Sequence, residues 1–454
     1  MKNIFKKFIL LHLSILMGYS VIAFAETESD ISASSFDQLK GLFPIILEEN
    51  YIDFIRISIV NQPEYLFAVS TVEEKNMSLK YARRERLPEL NFQLINDTSI
   101  DRDIDDLTSI RKRRDDSFDA TVELSQPIYT GGSINAKIGI ARNEFSMSRL
   151  MREESLSNQI LRANEVYLLA AASDILYNYG LQILDDARPY LEKVRERAQL
   201  GIIDPVALAI FSIKFNNLES KVQILRTNRN RDVGVYEFFF KEEFQTASLP
   251  EVRIPLINSS DSKNGYMVEN SLLDYQVKKQ ETRLTRSEYL PQFGIRTRVT
   301  QYDIDDDQND TDIRGGIYFS MPVFTFGRAS AKISSSRAKE KASQINIDVE
   351  RKNDAELETE IVNLIDSSFN TRLDIFNSFN DTKKQRQIIK ERIEITDFSV
   401  DSYIDSGLEE LNQLERFLST EISLLHSYMM YLHQNRDLTS FIRISPWVKI
   451  IKIK

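Results

Sequence analysis

The chain repeats itself, and the repeat constrains the fold more tightly than any single motif does. Leu87-Pro88 returns as Leu290-Pro291, 203 positions on. The run Gln126-Pro127-Ile128-Tyr129-Thr130-Gly131-Gly132 returns as Met321-Pro322-Val323-Phe324-Thr325-Phe326-Gly327, with Gly132 and Gly327 195 apart. Gly201 returns as Gly407, 206 apart. Two halves of about 200 residues therefore follow one another. Each orders the same parts: a helix ending at Leu-Pro, where proline disfavours helix for the residue before it, then a strand pair, then a helical hairpin. The stretch Gln245 to Gly265, with Pro250, Pro255 and several Ser and Asn residues, separates the halves. The expected divisions are a leader over 1–25, a first repeat over 26–240, a linker over 241–265, a second repeat over 266–442 and a tail over 443–454.

Period-two alternation marks the strands. Phe118, Ala120, Val122 and Leu124 alternate with Asp119, Thr121, Glu123 and Ser125, and their partner is expected over Leu90 to Ile100. In the second half Phe293, Ile295, Thr297 and Val299 alternate with Gly294, Arg296, Arg298 and Thr300. Ile313, Gly315, Ile317, Phe319 and Met321 alternate with Arg314, Gly316, Tyr318 and Ser320. Four strands of about 10 residues have the length that a tilted strand needs to cross a bilayer. The connections inside the pairs, Asp101 to Asp116 and Asp303 to Asp312, are long and charged, as on the external face of an outer-membrane barrel.

At the start, Lys2, Lys6 and Lys7 precede the apolar run Phe8 to Phe24, and Ala23-Phe24-Ala25 leads into polar sequence at Glu26. This is the pattern of a secretory leader with its cleavage signal at Ala23 and Ala25. As a membrane anchor the run is short and interrupted by His12, Ser14, Gly18 and Ser20. No other segment offers the roughly 18 consecutive apolar residues of a spanning helix, so membrane insertion must use strands.

After each strand pair comes a stretch almost free of Gly and Pro, Ser133 to Leu200 and Ala329 to Ser406, each on the order of 100 Å long as helix. Leu156, Ile160, Ala163, Tyr167 and Ala170, then Leu184, Ala187, Leu191, Val194 and Ala198, follow heptad spacing. Pro189 is expected to bend that helix or to mark a boundary. Gly201 and Gly407 are expected to end the long helices, with second helices over Val206 to Lys241 and Glu409 to Ile442. In the last of these Leu411, Leu414, Leu418, Ile422, Leu425, Met429 and Leu432 form an apolar seam.

Chemistry is sparse. The chain has no Cys, which excludes disulfides, thiolate nucleophiles and Cys-based metal sites. A net charge of -10 argues against a nucleic-acid partner, and the basic run Arg111 to Arg114 is followed by Asp115-Asp116. His426 and His433 lie seven apart and lack further ligands for a metal. Asp303-x-Asp305-x-Asp307 begins like a calcium loop but has Gln308 and Arg314 where Gly and Glu are needed. Gly131-Gly132 and Gly315-Gly316 lack the surroundings of a phosphate-binding loop, and no nucleophile motif is present. No catalytic residue, cofactor or metal is expected.

Four strands cannot form a closed sheet, and open edges find no partners in lipid, so several copies must pool their strands around a pore. The duplicated order of helix, Leu-Pro, strand pair, Gln-Pro-Ile-Tyr-Thr-Gly-Gly turn and helical hairpin resembles the TolC-type outer-membrane efflux proteins over nearly all of the chain. The resemblance implies an α+β membrane protein: a homotrimer whose 12-stranded β-barrel in outer-membrane lipid continues as a periplasmic α-helical barrel. It implies as partners a periplasmic adaptor of the membrane-fusion type, docking at the hairpin tips, and an inner-membrane transporter. Those tips are expected at Gly201, Asp204 and Pro205 and at Ser406 and Gly407. Counting from Gly407, the gate positions of the family fall at Gln413 and Arg416, neither of them the family's aspartate, with Glu409, Glu410 and Glu415 as other sources of charge. The strand-to-helix turns are expected at Pro127, Gly131 and Gly132 and at Pro322 and Gly327. The alternatives are a periplasmic coiled-coil adaptor or scaffold, against which the strand pairs speak, and an envelope hydrolase, whose motifs are missing. Protein secretion and small-molecule efflux both remain open.

Overall fold

A computed structural model describes residues 58–59, 62–98, 116–245, 263–302, 304, 310–396 and 400–441. The leader with Ala23 and Ala25, most of both charged strand connections, the Asp303-x-Asp305-x-Asp307 run, linker residues 246–262 and the tail lie outside the described residues. The first half runs α1 (Pro63–Arg84), β1 (Glu89–Thr98), β2 (Asp116–Thr130), α2 (Ser133–Gln199) and α3 (Pro205–Phe240). The second runs α4 (Tyr266–Ser287), β3 (Gln292–Tyr302), β4 (Asp310–Ser320), α5 (Arg328–Thr396) and α6 (Val400–Gln434), followed by the short α7 (Leu438–Phe441). Pro63 and Tyr266, and Glu89 and Gln292, are 203 apart, while Ser133 and Arg328 are 195 apart. The duplication seen in the sequence is thus one of structure.

The four strands form one antiparallel sheet in chain order, β1-β2-β3-β4. Within each half the strands pair as expected, and β2 against β3 joins the halves, with Leu124 opposite Thr297 and Val122 opposite Val299. β2 is 15 residues long and contains Pro127, which the sequence had placed in a turn. Pairing with β1 stops at Ser125, so beyond it one side of β2 is free and the missing proline N–H costs no ladder bond. A bulge between Pro127 and Tyr129 on the β3 side takes up the irregularity. Pro322 likewise lies before its turn, in the irregular residues 321–325. The turns themselves are Gly131-Gly132 (φ 63° and 90°) and Phe326-Gly327 (φ 50° and 81°), all left-handed.

The helices pack as two hairpins, α2 with α3 and α5 with α6, and α2 also contacts α6. Leu156, Ile160, Ala163, Tyr167 and Ala170 are buried against Tyr236 and Phe240 of α3, Leu425 and Met429 of α6 and Leu438 of α7. Each fully buried large apolar side chain of this seam contributes about 1.5–3 kcal/mol. Farther along α2, Leu184, Ala187, Leu191 and Val194 are buried too. α2 runs through Pro189 without a boundary. The residue lies on the solvent side, where water can serve the carbonyl it leaves unpaired, while Ala187, Tyr190 and Leu191 anchor the opposite face.

The second hairpin departs from expectation. α5 ends at Thr396 rather than Ser406, and α6 begins at Val400. Gly407 lies inside α6 and ends nothing. The helix ends Gln199 and Thr396 are 197 apart and the starts of the following helices, Pro205 and Val400, are 195 apart, so the two glycines, 206 apart, do not mark equivalent positions. α6 also stops at Gln434, eight residues before the expected Ile442.

Candidate functional site

Each strand's alternation becomes a property of the whole sheet because the register keeps like with like. Leu90, Phe92 and Leu94 of β1, Val122 and Leu124 of β2, Ile295 of β3 and Ile313, Ile317 and Phe319 of β4 lie on one face, and all are exposed. One row, Phe92, Val122, Val299 and Ile313, is apolar across all four strands. A soluble chain rarely leaves so large an apolar patch to water. The opposite face carries Asn91, Gln93, Thr121, Glu123, Arg296, Arg298, Asp312 and Arg314. There Glu123 bridges Arg298 at 2.5 Å and Arg296 at 3.2 Å, and Arg314 pairs with Asp312 at 2.6 Å. The apolar face fits hydrocarbon and the charged face fits water.

At the α2–α3 connection the chain turns through Gly201 (φ 70°). The Ile202 amide donates to the Arg197 carbonyl at 2.9 Å, a Schellman-type closure. Asp204 caps α3 by accepting from the Val206 amide at 2.9 Å, with Pro205 at the first helical position. Leu200, Ile202, Val206, Ile210 and Ile213 leave an exposed apolar surface around this turn. The α5–α6 connection, 397–399, lies outside the described residues.

Ser406 and Gly407, expected at a tip, are buried within α6. A Cβ on Gly407 would stand 2.7 Å from Ile183 Cγ2, so the residue is glycine because α6 meets α2 closely there. Gly407→Ala should destabilise the protein by about 1–3 kcal/mol through overpacking, although alanine is the better helix former. Thermal unfolding followed by circular dichroism checks this, and an unchanged or raised midpoint would contradict the close-contact reading.

The gate candidates part company. Glu410 is fully buried and bonded on both oxygens, to Arg386 Nε at 2.5 Å and to the Tyr179 hydroxyl, so it is a packing residue in this chain. Arg386 also donates to the Tyr403 hydroxyl at 2.9 Å and reaches Asp186 at 3.4 Å, which ties α2, α5 and α6 together. Burial pushes the Tyr179 hydroxyl well above its ordinary range, and Glu410 reinforces the shift. Tyr403 is pushed up to about 12 by burial, with Arg386 opposing. Burial works against the charge of Arg386, but the bond to Glu410 and its field outweigh that, and the guanidinium is held above its usual value. Glu415 pairs with Lys221 of α3 at 2.7 Å, and Gln413 donates to Glu409 at 2.7 Å. Glu409 and Arg416 are exposed.

Sequence reasoning missed this network, yet it left a trace. On α5, Ile365, Arg372, Phe379, Arg386 and Ile393 recur every seven residues, so two arginines occupy seam positions. Each is clamped by a glutamate of α6, Arg372 by Glu421 and Arg386 by Glu410. Burial raises the Glu421 carboxyl, and Arg372 counters it. Lys214 of α3 likewise reaches Asp405 at 2.6 Å and Asp401 at 3.4 Å, which binds the first turns of α6 to the other hairpin.

His433 is bound to Ser157 Oγ at 2.8 Å, and burial pulls it down to about 4. Among the described residues no group of three or more metal-binding side chains comes together, and no helix is long and apolar enough to cross a membrane.

No protein-family model and no curated protein matches the sequence. Solved structures do match. The CmeC outer membrane channel of Campylobacter jejuni aligns over 86% of this chain and 86% of its own, with TM-score 0.75 at 14% identity. The open state of the MtrE outer membrane channel of Neisseria gonorrhoeae aligns over 86% and 89%, with TM-score 0.69 at 11% identity. The outer membrane protein VceC of Vibrio cholerae aligns over 83% and 95%, with TM-score 0.65 at 11% identity. The chain has the fold of the TolC-type outer-membrane channels.

Proposed function

We propose that the chain is one subunit of an outer-membrane exit duct, working without a catalytic step. The observation that carries this is the sheet: one exposed apolar face, one charged face, and long helical hairpins continuing from its turns. A sheet with those faces has a use when the apolar side meets lipid and the charged side lines water. Open edges are untenable in lipid, so the strands of several copies close into a barrel. Three copies give the 12 strands that the resemblance implies, with the helices forming a periplasmic barrel of matching diameter.

The cargo is passed to the duct by a periplasmic adaptor and an inner-membrane transporter, the partners implied by the shared fold. Adaptor docking belongs at the α2–α3 turn, where Gly201, Asp204 and Pro205 hold an exposed apolar surface in place. A gate at the far end of α6 would draw on its accessible positions Glu409, Gln413 and Arg416 rather than on Glu410. Export of proteins and efflux of small molecules both fit.

Two fractions test the proposal. After alkaline washing the protein should remain with outer membranes, and deleting residues 201–205 should remove adaptor crosslinks while leaving the oligomer intact. Recovery of the intact chain in the soluble wash would reject the duct and leave a periplasmic scaffold in its place.

A further inference from the structure

We infer that the cavity beside the Gly131-Gly132 turn, between the starts and ends of α1, α2 and α4, binds the phosphate of an anionic phospholipid headgroup. The inference rests on the outer-membrane reading above and adds a ligand to it. The cavity measures about 510 Å³ and is lined by four arginines, Arg86, Arg142, Arg283 and Arg286, together with the amides of Asn135 and Gln280. Arg86 donates to Asn135 Oδ1 at 2.6 Å and Arg283 to Gln280 Oε1 at 3.3 Å. All four arginines are exposed, and none of the lining residues is acidic. Among the described residues none of the four takes part in an ion pair.

Four like charges gathered without a counter-charge repel one another unless something anionic joins them. Elsewhere in the helices Arg162, Arg195, Arg229, Arg351 and Arg436 each have a carboxylate partner. The carboxylates close to the cavity in sequence are already taken, Glu85 by Lys137 at 2.7 Å and Glu288 by Lys332 at 2.6 Å. The dipole of α4 accounts for Arg286, in its last turn, but not for Arg142, well inside α2. The duplication carries the same charges. At the shifts of 203 and 195 residues Arg283, Arg286 and Arg142 correspond to Lys80, Arg83 and Arg337, and among the described residues none of these forms an ion pair either. Between α1 and α4 the only identities left are Lys75 with Lys278 and Arg83 with Arg286, so basic residues outlasted the rest of the helix sequence.

Position and lining say which anion. Gly131 borders the cavity, and just before it in β2 Tyr129 stacks on Phe293 at 5.4 Å, at the end of the sheet's apolar face. Aromatic residues mark the boundary between hydrocarbon and headgroups in outer-membrane barrels, so the arginines beyond them stand at the level of the phosphates. The exposed Leu290 also lines the cavity, and the chain runs on from it to Phe293 and Ile295 on the apolar face. Guanidinium groups next to hydrocarbon suit a molecule that carries both a phosphate and an acyl chain. A guanidinium holds phosphate through two parallel N–H···O bonds, and clustered basic residues at a membrane boundary attract anionic headgroups.

The test uses the detergent-extracted protein, incubated with phosphatidylglycerol or with phosphatidylcholine of the same acyl chains, and counts bound lipid by native mass spectrometry. Phosphatidylglycerol should be retained at least about fivefold over phosphatidylcholine, whose choline cancels the phosphate charge. Arg142→Gln with Arg283→Gln and Arg286→Gln should bring the two lipids to the same level. Arg188→Gln with Arg195→Gln and Arg351→Gln, which removes the same charge from paired surface arginines, should leave the preference intact. Asn135→Asp with Gln280→Glu keeps the shape of the cavity and sets carboxylates against Arg86 and Arg283. It should abolish the preference as well, and it covers the case in which the triple cavity change disturbs folding. A preference that survives both cavity variants, or that falls equally in the surface variant, overturns the inference. Binding of inorganic phosphate, read from its phosphorus NMR linewidth, without retention of phosphatidylglycerol overturns the lipid assignment. A chain that stays in outer membranes after alkaline washing yet shows no headgroup preference overturns the inference alone, whereas recovery in the soluble wash overturns the duct on which it rests.

Discussion

Replacing Phe92 by arginine should remove most of the protein from the outer membrane, whereas Gln93→Arg, one residue on, should leave insertion within about twofold of the unaltered level. Phe92 lies in the row that is apolar across all four strands, while Gln93 lies on the charged face. An arginine on the lipid face near mid-membrane costs about 2–4 kcal/mol per copy, and the copies of an oligomer each bear it. The measurement is the amount of protein in density-separated outer membranes at matched synthesis. Equal insertion of both variants would mean that the apolar face is covered by protein rather than lipid.

Glu410→Ala should be the most destabilising single change among the residues once considered for a gate. It leaves the Arg386 charge without its closest partner in a buried site, which typically costs about 3–5 kcal/mol, and it takes the acceptor from Tyr179. Glu409→Ala, on the exposed side of the same helix, should stay within about 0.5 kcal/mol. Urea unfolding of the detergent-extracted protein, followed by helical circular dichroism, measures both. The double change Arg386→Met with Glu410→Leu should recover most of the loss, because well-packed apolar residues often replace a buried pair at little cost. If Glu410→Ala were neutral, and the double change no better, Glu410 would return to the solvent-lined role.

Much of the fold was legible because it rests on periodicity. Alternation placed β2, β3 and β4, β1 was expected as the partner of β2, the Gly132 and Gly327 landmarks placed the start of both long helices, and the heptads of α2 and α6 named the buried seam. The misreadings share one cause: glycine and proline are read locally as punctuation, while their meaning depends on what lies across from them. Gly407 is small because Ile183 is close. Pro127 is tolerated because β1 has already ended beside it. Pro189 is tolerated because its side of α2 faces solvent. None of those neighbours can be seen from the residue's own window of sequence.

The candidate site was legible in its surfaces and illegible in its polar contacts. The two faces of the sheet follow from the strands once the register is known, and each strand pair fixes its own register. The pairing of β2 with β3, which turns two ribbons into one sheet, has no local signature. The Arg386–Glu410 clamp could have been suspected from arginines at seven-residue spacing in an apolar seam. Its full set of partners could not, since α2, distant in sequence, meets the α5–α6 hairpin there through Asp186 and Tyr179.

The central claim is that several copies close one barrel and extend it as a tube. Single-particle imaging of the detergent-extracted protein tests this most directly. The expected particle has threefold symmetry, four strands from each chain in the micelle, and a helical tube projecting on the order of 100 Å from it. A particle without rotational symmetry, or one whose helices fold back on a single chain with no tube, would contradict the duct.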